Sequence, residues 1–372
     1  MHTVITQDQL DRARSLRDLT DPAAGPHAMQ LVAGAICRAL ERAWGCPVLV
    51  HRSSPVVTVR DNYETLGYPP GAPAREARYT RYLDGARLLR SHMTAVVPAA
   101  LRALAPPDGP GDLVAACPGL VYRRDVVDRL HVGEPHQLDL WRVRRGSRLT
   151  PADLDGMIEL VVAAVLPGAR HRVLPASHPY TDGGREVEVD VAGEWVELLE
   201  CGMAAAHVLE AGGLDPVEWS GLALGVGLDR ALMLRKGIAD IRLLRSSDPR
   251  VARQMLDLEP YRPVSAMPPT RRDLSIAVTG DLTPEELGDR VRERVEPAAL
   301  EAVEELAVVA ETPAAALPPR AIARIGLRPG QKNVLLRLVL RHPTRTLTAD
   351  EANRTRNLVY AAVHEGGAHQ WA

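Results

Sequence analysis

The spacing of apolar residues predicts alternating helices and strands in the first half of the chain. Apolar positions at helical intervals predict helices over 29–44 and 154–166. Alternating positions predict one or two strands over 48–59, and 88–104 reads as a strand that continues into a helix. The polar stretch 1–20 is predicted to be helical.

Later segments add strands and one strand-to-helix unit. Two strands over 120–124 and 137–144 flank a polar loop and predict an antiparallel hairpin, and 186–201 predicts further antiparallel strands. In 220–245 a strand marked by Gly221, Gly225 and Gly227 is followed by an amphipathic helix over 228–236. A glycine inside a strand suggests close approach of another group. Antiparallel strands with helices on one side predict an α+β fold.

A Pro-rich stretch over 258–269 predicts a boundary between two domains, 1–258 and 264–372. The second range reads as a strand at 274–278, a helix at 284–295, three strands at 303–310, 321–327 and 334–340, and a helix at 349–363. This order predicts a C-terminal ferredoxin-like α/β sandwich.

Composition narrows the functional classes. The chain has 372 residues, 46% hydrophobic and 25% charged, with a net charge of -2. No apolar run approaches the ~20 residues of a membrane span, so we expect a cytoplasmic protein without a membrane partner. The four cysteines lack ligand-like spacing. Acidic residues concentrate over 281–311 and basic ones after 320, which suits contact with an RNA backbone, although a solvated surface explains the same asymmetry.

Two arginine positions suggest a polyphosphate site. Arg230 falls in the first turn of the predicted helix, where a cation opposes the helix dipole unless it faces an anion. Arg123 and Arg124 follow a predicted strand, and alternation allows only one of them to point into a shared cleft. Arginine suits phosphate because its planar fork binds two oxygens. A core helix with one solvated arginine, and an edge strand carrying two, are the alternatives.

Several ordered segments carry a resemblance to a known family. The 220–245 segment resembles motif 3 of class II aminoacyl-tRNA synthetases, and PGLVYRRD with HVGEPHQLDLW is similar to motif 2 of the phenylalanyl-type enzymes. DNYETLGYPPGAPAR, LLRSHMTA, HPYTDGGREVEV and WVELLECGM resemble further segments of these enzymes. PPTRRDLSIAV, IGLRPGQKNVLLRLVL and RTLTADEANRTRNLVY look like their ferredoxin-fold anticodon-binding domain. The chain thus resembles the organelle-type, single-chain phenylalanyl-tRNA synthetases.

The resemblance implies ATP and Mg²⁺ and assigns expected roles to residues of this sequence. The catalytic cations on the phosphates would be Arg123 and Arg230. The other ATP-binding residues would be Asp125, His131, Gly225 and Gly227. The residues that bind the amino acid would be His92, Thr94, Gln137, Asp139, His178, Tyr180, Glu200 and Ala223. Asp182 and Glu197 would bind the metal, with a loop acid and a paired strand acid as their alternative reading.

The predicted side-chain pocket departs from the family pattern. His178 and Tyr180 stand where the family has phenylalanines, and Glu200 replaces a glycine. A carboxylate beside an apolar pocket costs several kcal/mol unless it has a partner. Glu200 therefore either points to solvent, or meets a donor or a positive charge on the substrate.

Three functions are compatible with these features. The first is an aminoacyl-tRNA synthetase, nominally for phenylalanine, that contacts tRNA through its C-terminal domain. The alternative is a diverged ligase that adenylates another acid and passes it to a non-tRNA acceptor. A regulatory binder is the third reading, which the pair of phosphate cations disfavours. The weak motif 1 over 26–32, PHAMQLV, favours a monomer.

Overall fold

The computed structural model describes residues 4–106, 109–264 and 268–368. The chain forms two compact units. The first comprises the chain up to Arg123, Glu134–Ile238 and Arg253–Tyr261, and the second comprises Arg124–Gly133, Ala239–Ala252 and the chain from Arg262. Two segments that the sequence analysis assigned to the first domain thus cluster with the second unit, while the boundaries 1–258 and 264–372 stay a prediction.

Strands and helices alternate along the first unit. Its strands are β1 Val48–Val50, β2 Val56–Thr58, β3 Arg87–Leu89, β4 Asp112–Leu120, β5 His136–Arg145, β6 His171–Pro175, β7 Thr181–Val191, β8 Glu194–Ala204 and β9 Trp219–Gly227. Its helices are α1 Gln7–Ser15, α2 Ala28–Trp44, α3 Val97–Leu104, α4 Pro151–Val165, α5 Ala206–Ala211 and α6 Leu228–Lys236. A further helix, α7, covers Pro249–Gln254.

Seven strands form the central sheet, in the order β1-β4-β5-β9-β8-β7-β6. All neighbours pair antiparallel except β1 and β4. β2 and β3 form a separate two-stranded sheet. The sheet and its flanking helices confirm the predicted α+β fold, and within the described residues no helix has the length and apolar character needed to cross a membrane.

One buried row of side chains fixes how the middle strands align. The apolar row consists of Leu138, Val226, Leu199 and Val187, which lie directly opposite one another across β5, β9, β8 and β7. Each of the four is at most 1% exposed. Helices α6 and α4 lie against β5 and β8, and α2 packs on both helices. Because side chains alternate along a strand, the neighbouring positions face the other side of the sheet.

Most elements predicted in this unit are confirmed. Helix α2 begins one residue before the predicted start, β3 leads through a short helical turn into α3, and α6 has the predicted bounds with Gly237 as a left-handed cap at φ 67°. The N-terminal helix is shorter than predicted and covers Gln7–Ser15, and residues 1–3 lie outside the described residues.

The first strand of the predicted hairpin was misplaced. The strand β4 ends at Leu120, where the predicted strand over 120–124 begins. Eight of its nine positions are buried, so its apolar run has no alternation to reveal it. Its antiparallel pairing with β5 is as predicted.

The second unit contains a three-stranded antiparallel sheet in the order β10-β12-β11. These strands are β10 Thr270–Thr279, β11 Val303–Pro313 and β12 Gln331–Leu340, with helices α8 Pro284–Arg294, α9 Pro297–Leu300, α10 Pro319–Ile325 and α11 Ala349–Val363. The predicted strand over 321–327 was wrong. That segment is α10, which starts with a proline in its first turn and ends at Gly326 at φ 59°. The predicted sandwich has four strands, whereas this sheet has three within the described residues. The ferredoxin-like sandwich therefore stays a prediction.

A buried hydrogen-bond pair joins the start of β5 to the start of α6. Asp229 accepts the backbone N–H of His136 at 2.5 Å and lies 3.2 Å from the ring Nδ1. The ring Nε2 accepts from the Leu19 N–H at 3.0 Å, so the proton resides on Nδ1 and is donated to Asp229. An acid in the first turn also suits the helix dipole. The pair thereby anchors the start of α6 to β5, the neighbour of β9 in the sheet.

Replacing Asp229 by alanine should destabilise the first unit. The change leaves two buried donors of His136 without this acceptor, which costs about 2–6 kcal/mol at ~1–3 kcal/mol per donor. The free energy of unfolding in urea measures the loss. Asp229→Asn keeps one carbonyl oxygen and should lose less, and a loss below about 1 kcal/mol for the alanine variant would contradict a structural role for this pair.

Candidate active site

The face of the sheet opposite the apolar row carries aligned polar positions. Asp139 on β5 lies opposite Gly225 on β9, and Gly225 lies opposite Glu200 on β8. We call these three residues the floor row. Strands are about 4.8 Å apart, so the Cα atoms of Asp139 and Glu200 are about 10 Å apart with only a glycine between them.

Gly225 keeps the middle of the floor row open. A Cβ at this position would lie 3.2 Å from Oδ1 of Asp139, a distance at which the carboxylate would have to move. The other two glycines of the strand have different surroundings. A Cβ at Gly221 would lie 2.8 Å from Cβ of Ala204, which makes Gly221 a packing position, whereas Gly227 has nothing within 4 Å.

Asp139 is the most buried charged group of the floor row, at 4% exposure. Burial raises the pKa of this carboxyl to about 6, and the nearby Glu200 adds to the rise. Hydrogen bonds with the Thr94 hydroxyl and the Trp141 side chain, and the charge of Arg123, favour the ionised form. The structure therefore brings the predicted Thr94 and Asp139 together, and the carboxylate is suited to a cationic ligand.

His92 offers a buried acceptor next to Tyr68, whose phenol acts electrostatically with Asp139 and Glu200. Its Nε2 lies 3.0 Å from the carbonyl oxygen of Asn62, which can only accept, so Nε2 carries the proton. Its Nδ1 is buried and has no hydrogen-bond partner in the described part of the chain. Burial, together with the charge of Arg123, lowers the pKa of His92 to about 3, so the ring is neutral. A ligand N–H is the kind of group that Nδ1 would bind.

Gln137 is held by the segment that carries His92. Its Oε1 accepts from the Met93 N–H at 3.1 Å, which fixes the orientation of the amide. The same segment is fixed on its other side, because the Ser91 N–H donates to Oδ1 of the buried Asn62 at 3.1 Å. Asn62 belongs to a π-helical turn at Arg60–Glu64.

Three aromatic rings form a continuous wall next to the floor row. The Tyr68 and Tyr180 rings have centroids 6.3 Å apart, and Tyr180 stacks on His178 at 5.5 Å with 25° between the planes. Tyr68 also contacts His92 at 5.7 Å. Burial raises the pKa of both tyrosines, that of Tyr68 to about 12, so both phenols stay protonated. The Tyr180 hydroxyl hydrogen-bonds with Thr94.

The sequence analysis assigned no role to Tyr68. It lies in a loop rich in proline, glycine and tyrosine, where no periodicity indicates which side chain turns inward. Its place in the wall follows from its ring contacts alone.

The two departures from the family pattern contact each other. The Nε2 of His178 lies 3.2 Å from Oε1 of Glu200. The His178 side chain is 10% exposed and that of Glu200 is 43% exposed, so the carboxylate is the more accessible partner. The hydrogen bond with His178 lowers the pKa of Glu200, which is therefore ionised at neutral pH.

Ala223 lies further along β9, away from the floor row. It is 2% exposed and opposite Trp141 and Gly202. It belongs to a buried cluster against which Tyr68 and Tyr180 pack. Its role as the end of a side-chain pocket stays a prediction.

Arg123 lies close enough to the floor row for its charge to act on two of its members, Asp139 and Glu200. Its Nε donates to the Ser91 carbonyl at 2.7 Å, and its charge acts on Asp139, Glu200 and Tyr68. Arg124 has a different partner, the carboxylate of Asp289 at 3.4 Å. Of the two adjacent arginines, Arg123 is thus the one close to the floor row.

Arg230 faces an anion, as its place in the first turn of α6 requires. Its Nη1 lies 3.1 Å from Oε2 of Glu197, and the side chain is 36% exposed. Because α6 directly follows β9, Arg230 lies just past the strand that supplies Gly225. Glu197 therefore neutralises the predicted phosphate cation in this structure.

The predicted metal pair does not form one site. Asp182 lies opposite Met203, and Glu197 lies opposite Glu188. Asp182 and Glu188 are six positions apart along β7, about 20 Å at roughly 3.3 Å per residue. One Mg²⁺ cannot contact both carboxylates at this separation, and the described residues contain no cluster of three or more metal-ligating side chains.

Asp125 and His131 belong to the second unit. Oδ1 of Asp125 accepts from the Val126 N–H at 2.8 Å, and the His131 ring lies 2.8 Å from the Asp128 carboxylate. Both predicted ATP-binding side chains are therefore engaged by their own segment. Their roles toward a nucleotide stay predictions.

Comparison with known proteins identifies the family. Residues 49–255 match the family model described as tRNA synthetases class II core domain (F). This match covers more than half of the chain and includes every residue of the floor row. The chain belongs to this class II aminoacyl-tRNA synthetase core family.

Curated relatives share about a third of the aligned residues. The phenylalanine–tRNA ligase alpha subunit of Nostoc punctiforme is 36% identical over 221 residues, which cover 59% of this chain and 65% of the relative. That of Prochlorococcus marinus (strain MIT 9313) is 39% identical over 199 residues, 54% of this chain and 57% of the relative. The chain thus spans less than two thirds of the length of these relatives. Among solved structures, pyrrolysyl-tRNA synthetase from Desulfitobacterium hafniense aligns at a TM-score of 0.47 and 19% identity, covering 65% of this chain and 78% of that one.

The carboxyl of Asp139 should titrate near pH 6. Its pKa in the folded chain lies above the ordinary 3.8, so this group's contribution to stability falls as the pH rises from about 4 to about 6. Carbon-13 NMR of aspartate-labelled protein measures the titration, and Asp139→Asn identifies the resonance. Thr94→Val should raise the pKa further, because it removes a hydrogen bond to the ionised form. A titration near pH 4 would contradict the burial of this group.

Proposed function

We propose that the chain activates an amino acid with ATP to form an aminoacyl-adenylate and then transfers the aminoacyl group to tRNA. The observation that carries this proposal is the arrangement around β9. The buried carboxylate of Asp139 lies opposite Gly225 and feels the charge of Arg123. Arg230 lies three residues past the end of β9 and faces Glu197. The neutral ring of His92, which contacts Tyr68, adds a buried acceptor. Membership in the class II core family supports the same reaction.

The amino acid would be held by its ammonium group. Ionised Asp139 supplies the counter-charge, and Nδ1 of His92 supplies a buried acceptor without a protein partner. Thr94 hydrogen-bonds with Asp139 and so orients the carboxylate. A fixed ammonium places the amino acid's carboxylate for reaction, which is the main contribution that positioning makes to the rate.

The reaction then needs positive charge at the phosphates. A carboxylate oxygen of the amino acid attacks the α-phosphorus of ATP, the bond from that phosphorus to the bridging oxygen breaks, and pyrophosphate leaves with the electron pair. Arg123 and Arg230 are the proposed cations, and their planar forks suit phosphate oxygens. Phosphate would replace Glu197 as the anion that Arg230 faces. Asp182 and Glu197 are too far apart to hold one Mg²⁺ together, so no step is assigned to that pair.

The proposed acceptor is tRNA, with contacts from the second unit. A cleft of about 920 Å³ there is lined by five arginines and three carboxylates, an excess of two positive charges (5 − 3): Arg129, Arg271, Arg272, Arg337, Arg341, Asp273, Glu304 and Glu305. Cationic side chains of this kind meet RNA phosphates without reading sequence. Localised positive charge of this kind supports an RNA partner although the whole chain has a net charge of -2.

Phenylalanine is the nominal substrate, because the curated relatives are named phenylalanine–tRNA ligases. A second candidate is a ligase that adenylates a different acid. One observation favours it: the His178–Glu200 pair places a charged carboxylate beside the aromatic wall. A non-tRNA acceptor belongs to the same candidate.

Arg230→Ala should lower ATP–pyrophosphate exchange about 10²–10³-fold, as expected for the loss of one group that stabilises the transition state. The change removes a partly exposed side chain and should leave the melting temperature within about 2 °C, which corresponds to a loss of at most roughly 1.5 kcal/mol in a chain of 372 residues. Exchange is measured with the twenty standard amino acids, and the best one is used for kcat/KM.

Arg235→Ala is the matched control, since Arg235 lies on the same helix and its one hydrogen bond within the described structure is to the Val165 carbonyl. It should keep wild-type exchange. Unchanged exchange in Arg230→Ala would refute the phosphate role. Charging of tRNA by the active amino acid would support the first candidate, whereas exchange without charging would favour the non-tRNA ligase.

A further inference from the structure

Glu200 lies where a ligand held at Asp139 would extend. The two carboxylates belong to one row across three adjacent strands, and only Gly225 lies between them. Gly225 contributes no side chain, so a ligand bound by its ammonium at Asp139 meets Glu200 next along the sheet. The Tyr180 ring and the phenol of Tyr68 border the same space, because both act electrostatically with Asp139 and Glu200.

The contact with His178 orients the Glu200 carboxylate and leaves it accessible. His178 stacks on Tyr180, and its Nε2 donates to Oε1 of Glu200. Its other ring nitrogen lies 3.4 Å from the Thr181 hydroxyl, which limits rotation of the ring. In the described residues, Oε2 of Glu200 has no hydrogen-bond partner. The pair thus presents one carboxylate oxygen toward the accessible side.

An apolar side chain would be a poor occupant of this space. Covering an ionised carboxylate with a hydrocarbon ring removes water without replacing its hydrogen bonds, which is costly for a charged group. A side chain with an N–H or O–H donor would replace those bonds, and charge-assisted bonds are roughly twice as strong as neutral ones. We therefore expect the site to bind an amino acid with a donor on its side chain better than it binds phenylalanine.

We propose that this site activates an amino acid whose side chain carries a hydrogen-bond donor or a positive charge, which Glu200 recognises and His178 positions. The inference rests on the proposed adenylation and adds the substrate class to it. Glu200 is a specificity-determining residue in this account, and His178 acts through it as a positioning residue.

The test is ATP–pyrophosphate exchange with matched amino acids. Phenylalanine is compared with tyrosine, 4-aminophenylalanine, histidine, ornithine and lysine, using the full chain. For the wild type, kcat/KM for the best donor-bearing amino acid should exceed that for phenylalanine at least 10²-fold, because a site built around a hydrogen bond rejects the analogue that lacks the donor. Glu200→Gly should reduce this ratio at least tenfold.

Glu188→Gln is the matched control for charge. Glu188 is on the neighbouring strand β7 and pairs with Arg172 at 2.5 Å. Removing its charge should leave the ranking of amino acids unchanged. A wild type that prefers phenylalanine, or a Glu200→Gly variant with the wild-type ranking, would overturn the inference and leave adenylation standing.

The positioning role of His178 is tested by a change in KM without a change in kcat, which a purely structural role would not produce. His178→Phe should raise KM for the donor-bearing amino acid about tenfold with little change in kcat, and His178→Gln, which keeps a donor, should restore most of the affinity. Equal KM values in wild type and His178→Phe would refute the positioning role.

Thermal stabilisation of the protein by amino acids in the absence of ATP distinguishes a failure of the adenylation proposal from a failure of recognition by Glu200. If exchange is absent with every amino acid, the adenylation proposal fails. Stabilisation by donor-bearing amino acids that Glu200→Gly abolishes would then still support the recognition by Glu200. Absence of both exchange and stabilisation would overturn the inference as well.

Discussion

The alignment of β5, β9 and β8 is the constraint on which the candidate site depends. The apolar row buries Leu138, Val226 and Leu199 under the helices, and each fully buried side chain contributes about 1.5–3 kcal/mol. A shift of one residue in β9 would turn Val226 toward the site and Gly225 toward the helices. Burial on one face of the sheet therefore decides that Asp139 and Glu200 are separated by a glycine on the other.

The same alignment explains the unusual electrostatics. Asp139 is buried because the sheet places it among Thr94, Trp141 and the tyrosines, and its pKa is raised to about 6 as a result. Glu200 is more accessible, and His178 lowers its pKa. Two carboxylates in one row thus have opposite pKa shifts. A buried acid suits a fixed ammonium group, and an exposed ionised acid suits recognition of a variable side chain.

Local patterns predicted the elements that have clear periodicity and end signals. The unit β9–α6 was predicted because glycines mark the strand, the helix has a 3.6-residue period and Gly237 ends it. The bounds of strand β4 are not visible in the sequence pattern because both its faces are buried. The apolar residues of 321–327 suggest a strand, whereas a proline and a glycine delimit a short helix there. Local sequence cannot reveal which strand positions lie opposite each other.

The candidate site, like the fold, is predicted by the sequence only in part. The resemblance to the family names Asp139, Thr94, Gly225 and Glu200 as site residues, and these four lie close together in the structure, while their roles stay predictions. It paired Asp182 with Glu197, which the alignment of β7 with β8 separates by about 20 Å. The contact between His178 and Glu200 and the inward turn of Tyr68 depend on tertiary structure, so no local pattern predicts them.

The most direct test of this account is binding of a non-hydrolysable aminoacyl-sulfamoyl-adenosine, carrying the amino acid that is active in exchange, to wild type and to Gly225→Val. A side chain at position 225 would fill the gap between Asp139 and Glu200 on the site face without disturbing the apolar row. The account predicts tight stoichiometric binding to wild type in calorimetry and at least 100-fold weaker binding to the variant, with both chains equally folded. Equal affinity for the two chains would contradict the assignment of the floor row as the substrate site.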